Sequence, residues 1–267
     1  MKKDLKNWKD NKVVHDAYWG KLYDFISNKI KSQPFESVWL DLNVFELGSN
    51  QRNYGRYGNY QTKTMRVFCD EKDLYLRNAL NEYINSETDC IIELGSGWGR
   101  NILKLSNNED YKDIDFIAAE LSDSGRNITN LFSDVFNLNV SSVEFNWYDV
   151  DGISSILSEK QYKNVIIYSY HSIEQIHTLD SNIFINALSL GMDIKCIHIE
   201  PVGFQFDSKS TGYDKDCHYN INLKECLTEL ASHNLIEIEN VDVGYFQSHT
   251  TTSGRNATLI QWKKKHL

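Results

Sequence analysis

The order of apolar and polar residues divides the chain into a helical N-terminal part and a longer part in which strand-like and helix-like runs alternate. Val14, Ala17, Tyr18, Lys21, Leu22, Phe25 and Ile26 recur at helical spacing, which predicts an amphipathic helix over 13–30 that has stopped by Pro34. Over 47–65 the periodicity disappears. Gly48, Gly55 and Gly58 are interleaved there with Tyr54, Tyr57, Tyr60, Arg52 and Arg56, a composition that predicts a loop with turns. Residues 70–84 read as helix again. Short apolar runs then mark strands at 90–94, 115–120, 142–147, 164–170 and 194–199, with helical runs at 99–105, 122–136, 181–190 and 223–233. Two last strands, 235–243 and 256–262, follow one another with no helix between them and so form a hairpin.

Strands separated by helices predict an α/β fold: a doubly wound, Rossmann-like sheet, mostly parallel with an antiparallel C-terminal strand, plus an N-terminal helical cap. The chain divides into a helical extension and lid at 1–85 and a main domain at 86–267. Its 267 residues suffice for a sizeable core. The net charge of −9 shows no basic excess, which argues against a nucleic-acid partner. Cys69, Cys90, Cys196, Cys217 and Cys226 are odd in number and contain no C-x-x-C pair, so neither a disulfide framework nor a zinc site is expected. Cys90 and Cys196 fall in strands and read as small buried residues. No apolar run reaches the roughly 18–20 residues that span a bilayer, and the lysine-rich start lacks an apolar signal core. A cytoplasmic protein without membrane insertion fits these features.

The densest chemical signal is Ile91-Ile92-Glu93-Leu94-Gly95-Ser96-Gly97-Trp98-Gly99-Arg100-Asn101. An apolar strand runs into an acid, then into glycines at alternate positions, then into a helix. Glycine permits the sharp turn and close approach of a ligand to the main chain. The helix start offers unpaired N–H groups at a strand's carboxyl end, where open α/β sheets bind ligands. A dinucleotide site spaces its glycines G-x-G-x-x-G, but here Arg100 stands where the third would fall. That disfavours a nicotinamide oxidoreductase. The G-K-[ST] ending of a phosphate loop is also missing. Glu120 ends the second strand about 20 residues past the glycine turn, where an acidic side chain can accept ribose hydroxyls; alone, it could equally cap the next helix.

The run resembles the first motif of the class I S-adenosylmethionine-dependent methyltransferases, E/D-x-G-x-G-x-G, and the resemblance extends from about residue 90 to the C-terminal hairpin. It implies S-adenosylmethionine as cofactor and makes 86–267 the domain that binds it. On this reading Gly95, Ser96, Gly97 and Gly99 form the cofactor loop. Glu93 orients that loop and meets the amino end of the methionine through water or the loop backbone. Glu120 and Leu121 serve the ribose side. An acid after the third strand commonly meets the adenine amino group in the family, which points to Asp149, with Asp151 as a neighbouring turn candidate.

The acceptor side is less marked. His171 follows the fourth strand beside Tyr170 and suits a general base for a hydroxyl nucleophile, or it packs and hydrogen-bonds at a strand end. Glu174 would orient it or bind substrate. The fifth strand supplies His198 and Glu200, two residues apart and so on one face. Metal-dependent members of the family use mostly Asp and Asn ligands, a pattern missing here, so no metal is expected. Tyr57, in the lid segment 52–60, and Tyr213 and His218, in the long loop 203–220, complete the acceptor candidates together with Tyr170 and His198. The expected reaction is methyl transfer to a hydroxyl of a small molecule or glycan. The alternatives are N-methylation of a small amine and a cofactor-binding protein without turnover; methylation of protein or RNA fits the charge less well.

Overall fold

The structure is a computed structural model that describes residues 12–27, 29–48, 51–56, 59–207, 220–249 and 255–266. Two helices open the described chain, α1 (Lys12–Ser27) and α2 (Phe35–Leu47). The pattern reads one helix over 13–30; the structure adds α2, which begins directly after Pro34 and ends at Gly48 with φ +62°, the left-handed stop that glycine allows. A hairpin follows, β1 (Gln51–Arg56) and β2 (Asn59–Thr64), then α3 (Met65–Asn81). The predicted loop over 47–65 is therefore mostly paired strand. Its glycines and polar residues leave no apolar alternation to read, and the backbone ladder from Gln51↔Thr64 to Arg56↔Asn59 creates the element.

The alternating part contains β3 (Cys90–Leu94), α4 (Arg100–Ser106), β4 (Asp115–Glu120), α5 (Asp123–Phe136), β5 (Val140–Glu144), α6 (Gly152–Ser158), β6 (Asn164–Tyr170), α7 (Asn182–Leu188), β7 (Asp193–Glu200), α8 (Leu223–Ser232), β8 (Ile236–His249) and β9 (Arg255–Lys264). Among the described residues the strands form one sheet in the order β2-β1-β8-β9-β7-β6-β3-β4-β5. The ladders β5–β4–β3–β6–β7 are parallel. β9 runs antiparallel between β7 and β8, and β1 joins the far edge of β8 through Asn53↔His249. The mostly parallel sheet with an antiparallel C-terminal strand is as the sequence predicts. The hairpin of the N-terminal segment extends the same sheet.

β3 is buried along its whole length, because helices cover both faces of the parallel sheet and leave no polar side to alternate with. One core joins α1 to α5 with one face, around Trp39, Leu80, Phe132 and Ile91. The other joins α6, α7 and α8 with the opposite face, around Ile92, Phe184, Leu227 and Trp262. Cys90 and Cys196 are fully buried in their strands. No helix among the described residues is long and apolar enough to cross a membrane. Strand order reverses between β3 and β6, and the carboxyl ends of these two strands flank the crevice where open α/β sheets take ligands.

Candidate functional site

The turn after β3 is built for close approach. Gly95, Gly97 and Gly99 have φ of +71°, +59° and +78°, a region that L side chains rarely adopt. A Cβ on Gly95 would stand 2.3 Å from Ser172 Oγ, and one on Gly97 would stand 2.9 Å from the Trp19 ring. Gly99 starts α4 and packs on Thr129, so its role is steric and it does not line the crevice. Ser96 is buried, with its backbone N–H donating to Ala119 at 3.1 Å.

Glu93 lies under this turn. It accepts from Asn101 Nδ2 at 2.6 Å and from the Ile102 N–H at 3.2 Å, so it fastens the start of α4 to β3. Burial pushes its carboxyl up to about 7. Glu93 thus braces the turn from beneath and is not among the residues lining the crevice. Glu120, at the end of β4, does face the crevice. Its Oε2 accepts from the Gly97 N–H at 2.9 Å, and its Oε1 accepts from the Ser122 N–H and hydroxyl at 3.0 and 2.9 Å. Burial raises its pKa, and these hydrogen bonds counter the rise. Ser122, not Glu120, caps α5, with Oγ accepting from the Gly125 N–H at 3.1 Å.

At the end of β6 the chain turns through His171 in the left-handed region, φ +55°, which is rare for a residue with a β-carbon. Its N–H donates to Ile199 O at 3.1 Å, and its Nδ1 lies 3.1 Å from Glu174 Oε2. Glu174 is itself buried, and its Oε1 accepts from Gln175 at 3.0 Å. Glu200 anchors the turn from below. It is fully buried, with Oε1 accepting from the N–H groups of Ser172 and Ile173, both at 3.1 Å, and Oε2 from that of Glu174 at 3.2 Å. Burial pushes its carboxyl up to about 7. Glu200 therefore positions the turn and does not line the cavity.

These pieces meet around a cavity of about 350 Å³. Its floor and sides are Gly95, Gly97, Glu120, Leu121, His171 and Ser172, with Phe145, Asn146 and Trp147 on the β5 side. Its remaining wall comes from the N-terminal helices through His15, Tyr18, Trp19 and Glu46. α1 is held there at its start. Asp16 Oδ1 accepts from the Ser124 N–H at 2.8 Å at the opening of α5, and Lys12 lies 3.2 Å from Asp123 and 3.4 Å from Glu144.

Other candidates lie elsewhere. Asp149 is an exposed turn residue whose Oδ1 accepts from the Asp151 N–H at 3.1 Å; Asn146, three residues earlier, takes the place on the cavity wall. Tyr170 is buried on the cap side with the Lys72 ammonium 4.1 Å above its ring. His198 is fully buried between Ser169 and Trp262, and burial drives its pKa down to about 3. It is a core residue, and the expectation that it binds substrate does not fit that place. Tyr57, Tyr213 and His218 lie outside the described residues. The pattern of motifs missed His15, Tyr18, Trp19, Glu46, Asn146, Trp147 and Gln175, of which Asn146 and Trp147 stand near Asp149 and Gln175 directly follows Glu174.

No family model and no curated protein matches this chain. Solved structures do. An O-methyltransferase from Bacillus cereus, in complex with SAH, is 14% identical across 93% of this chain and 99% of its own, with a TM-score of 0.52. A SAM-dependent methyltransferase from Anabaena variabilis is 15% identical across 98% of this chain and 95% of its own, with a TM-score of 0.47. Another, from Aquifex aeolicus, is 13% identical across 74% of this chain and 96% of its own, with a TM-score of 0.46.

Proposed function

We propose that this chain, which has the fold of the class I S-adenosylmethionine-dependent methyltransferases, binds S-adenosylmethionine in the cavity above β3 and β4 and transfers its methyl group to a hydroxyl of a small molecule or glycan. The cavity suits the cofactor on its own chemistry. Its volume lies within the range of small-molecule sites. The glycine turn keeps the backbone free of β-carbons where a ligand lies against it. Glu120 places a carboxylate beside Gly97, suited to a vicinal diol. Leu121, Phe145 and Trp147 supply apolar surface for an adenine ring, with Asn146 available to its polar edge. When bound, the cofactor supplies an electrophilic methyl group on a sulfonium.

The observation that carries the hydroxyl reading is the His171–Glu174 pair, with His171 on the cavity wall and Glu174 buried behind it. Glu174 Oε2 accepts from Nδ1–H, which leaves Nε2 with the lone pair of a base. Glu200 fixes the main chain at 172–174, so the imidazole and its carboxylate are held as one unit. A strained backbone at His171, retained beside a cavity, is characteristic of functional positions. The base takes the proton of the acceptor hydroxyl as the oxygen becomes the nucleophile. An amine acceptor needs such a base far less, and a cofactor-binding protein needs none.

Calorimetry tests the cofactor: S-adenosylhomocysteine binds and raises the melting temperature with concentration, whereas NAD and NADP do neither. Nicotinamide binding without S-adenosylhomocysteine binding would reverse the reading. Turnover with hydroxyl acceptors, against amines and RNA as alternatives, tests the acceptor class.

A further inference from the structure

The wall that the N-terminal helices give the cavity has a chemistry of its own. Glu46, at the end of α2, lines the cavity. Its Oε2 accepts from the indole N–H of Trp98, buried inside the glycine turn, at 2.8 Å. That bond fixes the carboxylate in place, while its Oε1 meets no donor among the described residues. Glu46 forms no ion pair within 4.0 Å there either. Lys72 acts on it only over a longer distance, its ammonium lying 4.1 Å from the centre of the Tyr170 ring. Beside Glu46 stand Tyr18 and Trp19, whose rings meet edge to face with centroids 4.6 Å apart. Among the described residues that line the cavity there is neither lysine nor arginine.

We infer that Glu46, flanked by Tyr18 and Trp19, is a holder for an ammonium group on a ligand bound in this cavity. A fixed carboxylate with one oxygen open, sharing a wall with two aromatic side chains, complements a positive charge on both counts: hydrogen bonding to the carboxylate and attraction to the rings. The inference rests on the cofactor reading and deepens it. The ammonium belongs either to an acceptor that carries an amine beside its hydroxyl or to the amino-acid end of the cofactor itself.

The test uses Glu46→Gln, which keeps an oxygen for Trp98 and removes only the charge. Calorimetry compares the variant with the parent for S-adenosylhomocysteine, which bears an ammonium, and for 5′-methylthioadenosine, which does not. A third titration adds tyramine, a phenol with an ammonium, to protein saturated with S-adenosylhomocysteine. The expected result is a loss of about tenfold or more for an ammonium-bearing ligand, with 5′-methylthioadenosine unchanged. A loss in the first titration assigns the ammonium to the cofactor, and a loss in the third alone assigns it to the acceptor. Equal affinities in parent and variant for every ligand, or a parallel loss for 5′-methylthioadenosine, overturn the inference while leaving the cofactor reading intact. Failure of the parent to bind S-adenosylhomocysteine overturns both.

Discussion

The indole N–H of Trp262 donates to Nε2 of His198 at 3.0 Å. Because an indole can only donate, Nε2 must be the acceptor, and the ring proton sits on Nδ1, facing Ser169 Oγ at 3.0 Å. Ser169 in turn acts on the Glu200 carboxyl, favouring its charged form, and Glu200 holds the turn carrying His171 and Glu174. A buried line of polar groups therefore runs from the C-terminal strand to the proposed base. Trp262→Phe leaves Nε2 without its donor in a dry core. The expected cost is roughly 1–3 kcal/mol, measured as a lower urea midpoint. An unchanged midpoint would mean that the bond does not hold the core.

Glu120 has two tasks, and its variants should report both. Glu120→Ala removes the acceptor proposed for the ribose, so the dissociation constant of S-adenosylhomocysteine should rise at least tenfold. The same change strips the Gly97 and Ser122 N–H groups of their partner. Stability without ligand should therefore also fall, by roughly 1–3 kcal/mol. Unaltered affinity together with lowered stability would reduce Glu120 to a brace for the turn.

His171→Ala should lower turnover by roughly 10²–10⁴-fold with a hydroxyl acceptor and leave cofactor affinity nearly unchanged. Full turnover in the variant would remove His171 from the mechanism. Equal losses of turnover and cofactor binding would assign it to the shape of the cavity. His171→Asn is a useful companion, because asparagine tolerates the left-handed backbone that His171 adopts while lacking its basicity.

Stability should depend on pH through two buried carboxyls. Burial holds both Glu93 and Glu200 at about 7, above the usual carboxylate range. Between that range and about 7 these two carboxyls bind more protons in the folded chain than in the unfolded one, so their contribution to stability falls as pH rises through the window and levels off above it. Buried His198, held at about 3, and Lys72, held at about 7, contribute in the opposite sense below their ordinary pKa values. Glu36, Asp115 and Glu239 are shifted downwards by their ion pairs and act in the opposite sense at lower pH. In melting curves from pH 5 to 8, Glu200→Gln should show a less negative slope than the parent. Identical slopes would show that Glu200 ionises alike in both states.

The cofactor side of the site is legible in the sequence because it is local. The acid, the glycines and the helix start of 93–101 lie within one turn, and Glu120 follows from strand length alone. Strand ends are legible as places but not as directions. Tyr170 and His198 sit near the carboxyl ends of β6 and β7, yet alternation sends Tyr170 into the cap-side core and His198 toward Phe184 and Trp262 on the other face. Asp149 stands close enough in sequence to seem right, but the turn after β5 brings Asn146 to the wall and leaves Asp149 in solvent. The wall made by His15, Tyr18, Trp19 and Glu46 carries no motif. Those residues read as the mixed faces of ordinary helices, and only packing of α1 on α5 and the bond from Trp98 to Glu46 of α2 bring them over the glycine turn.

The position of β9 governs the order in which the molecule can be assembled. Strands β3 to β7 pair with near neighbours in parallel, but β8 touches that group only through β9, which comes after it in the chain. Until residues 255–264 are in place, β7 presents an open edge, and the hairpin of β1 and β2 lacks a completed sheet to join. The last described strand is thus the bolt that locks the earliest hairpin to the rest. Such distant pairing slows folding and leaves an exposed edge for unwanted partners in the meantime.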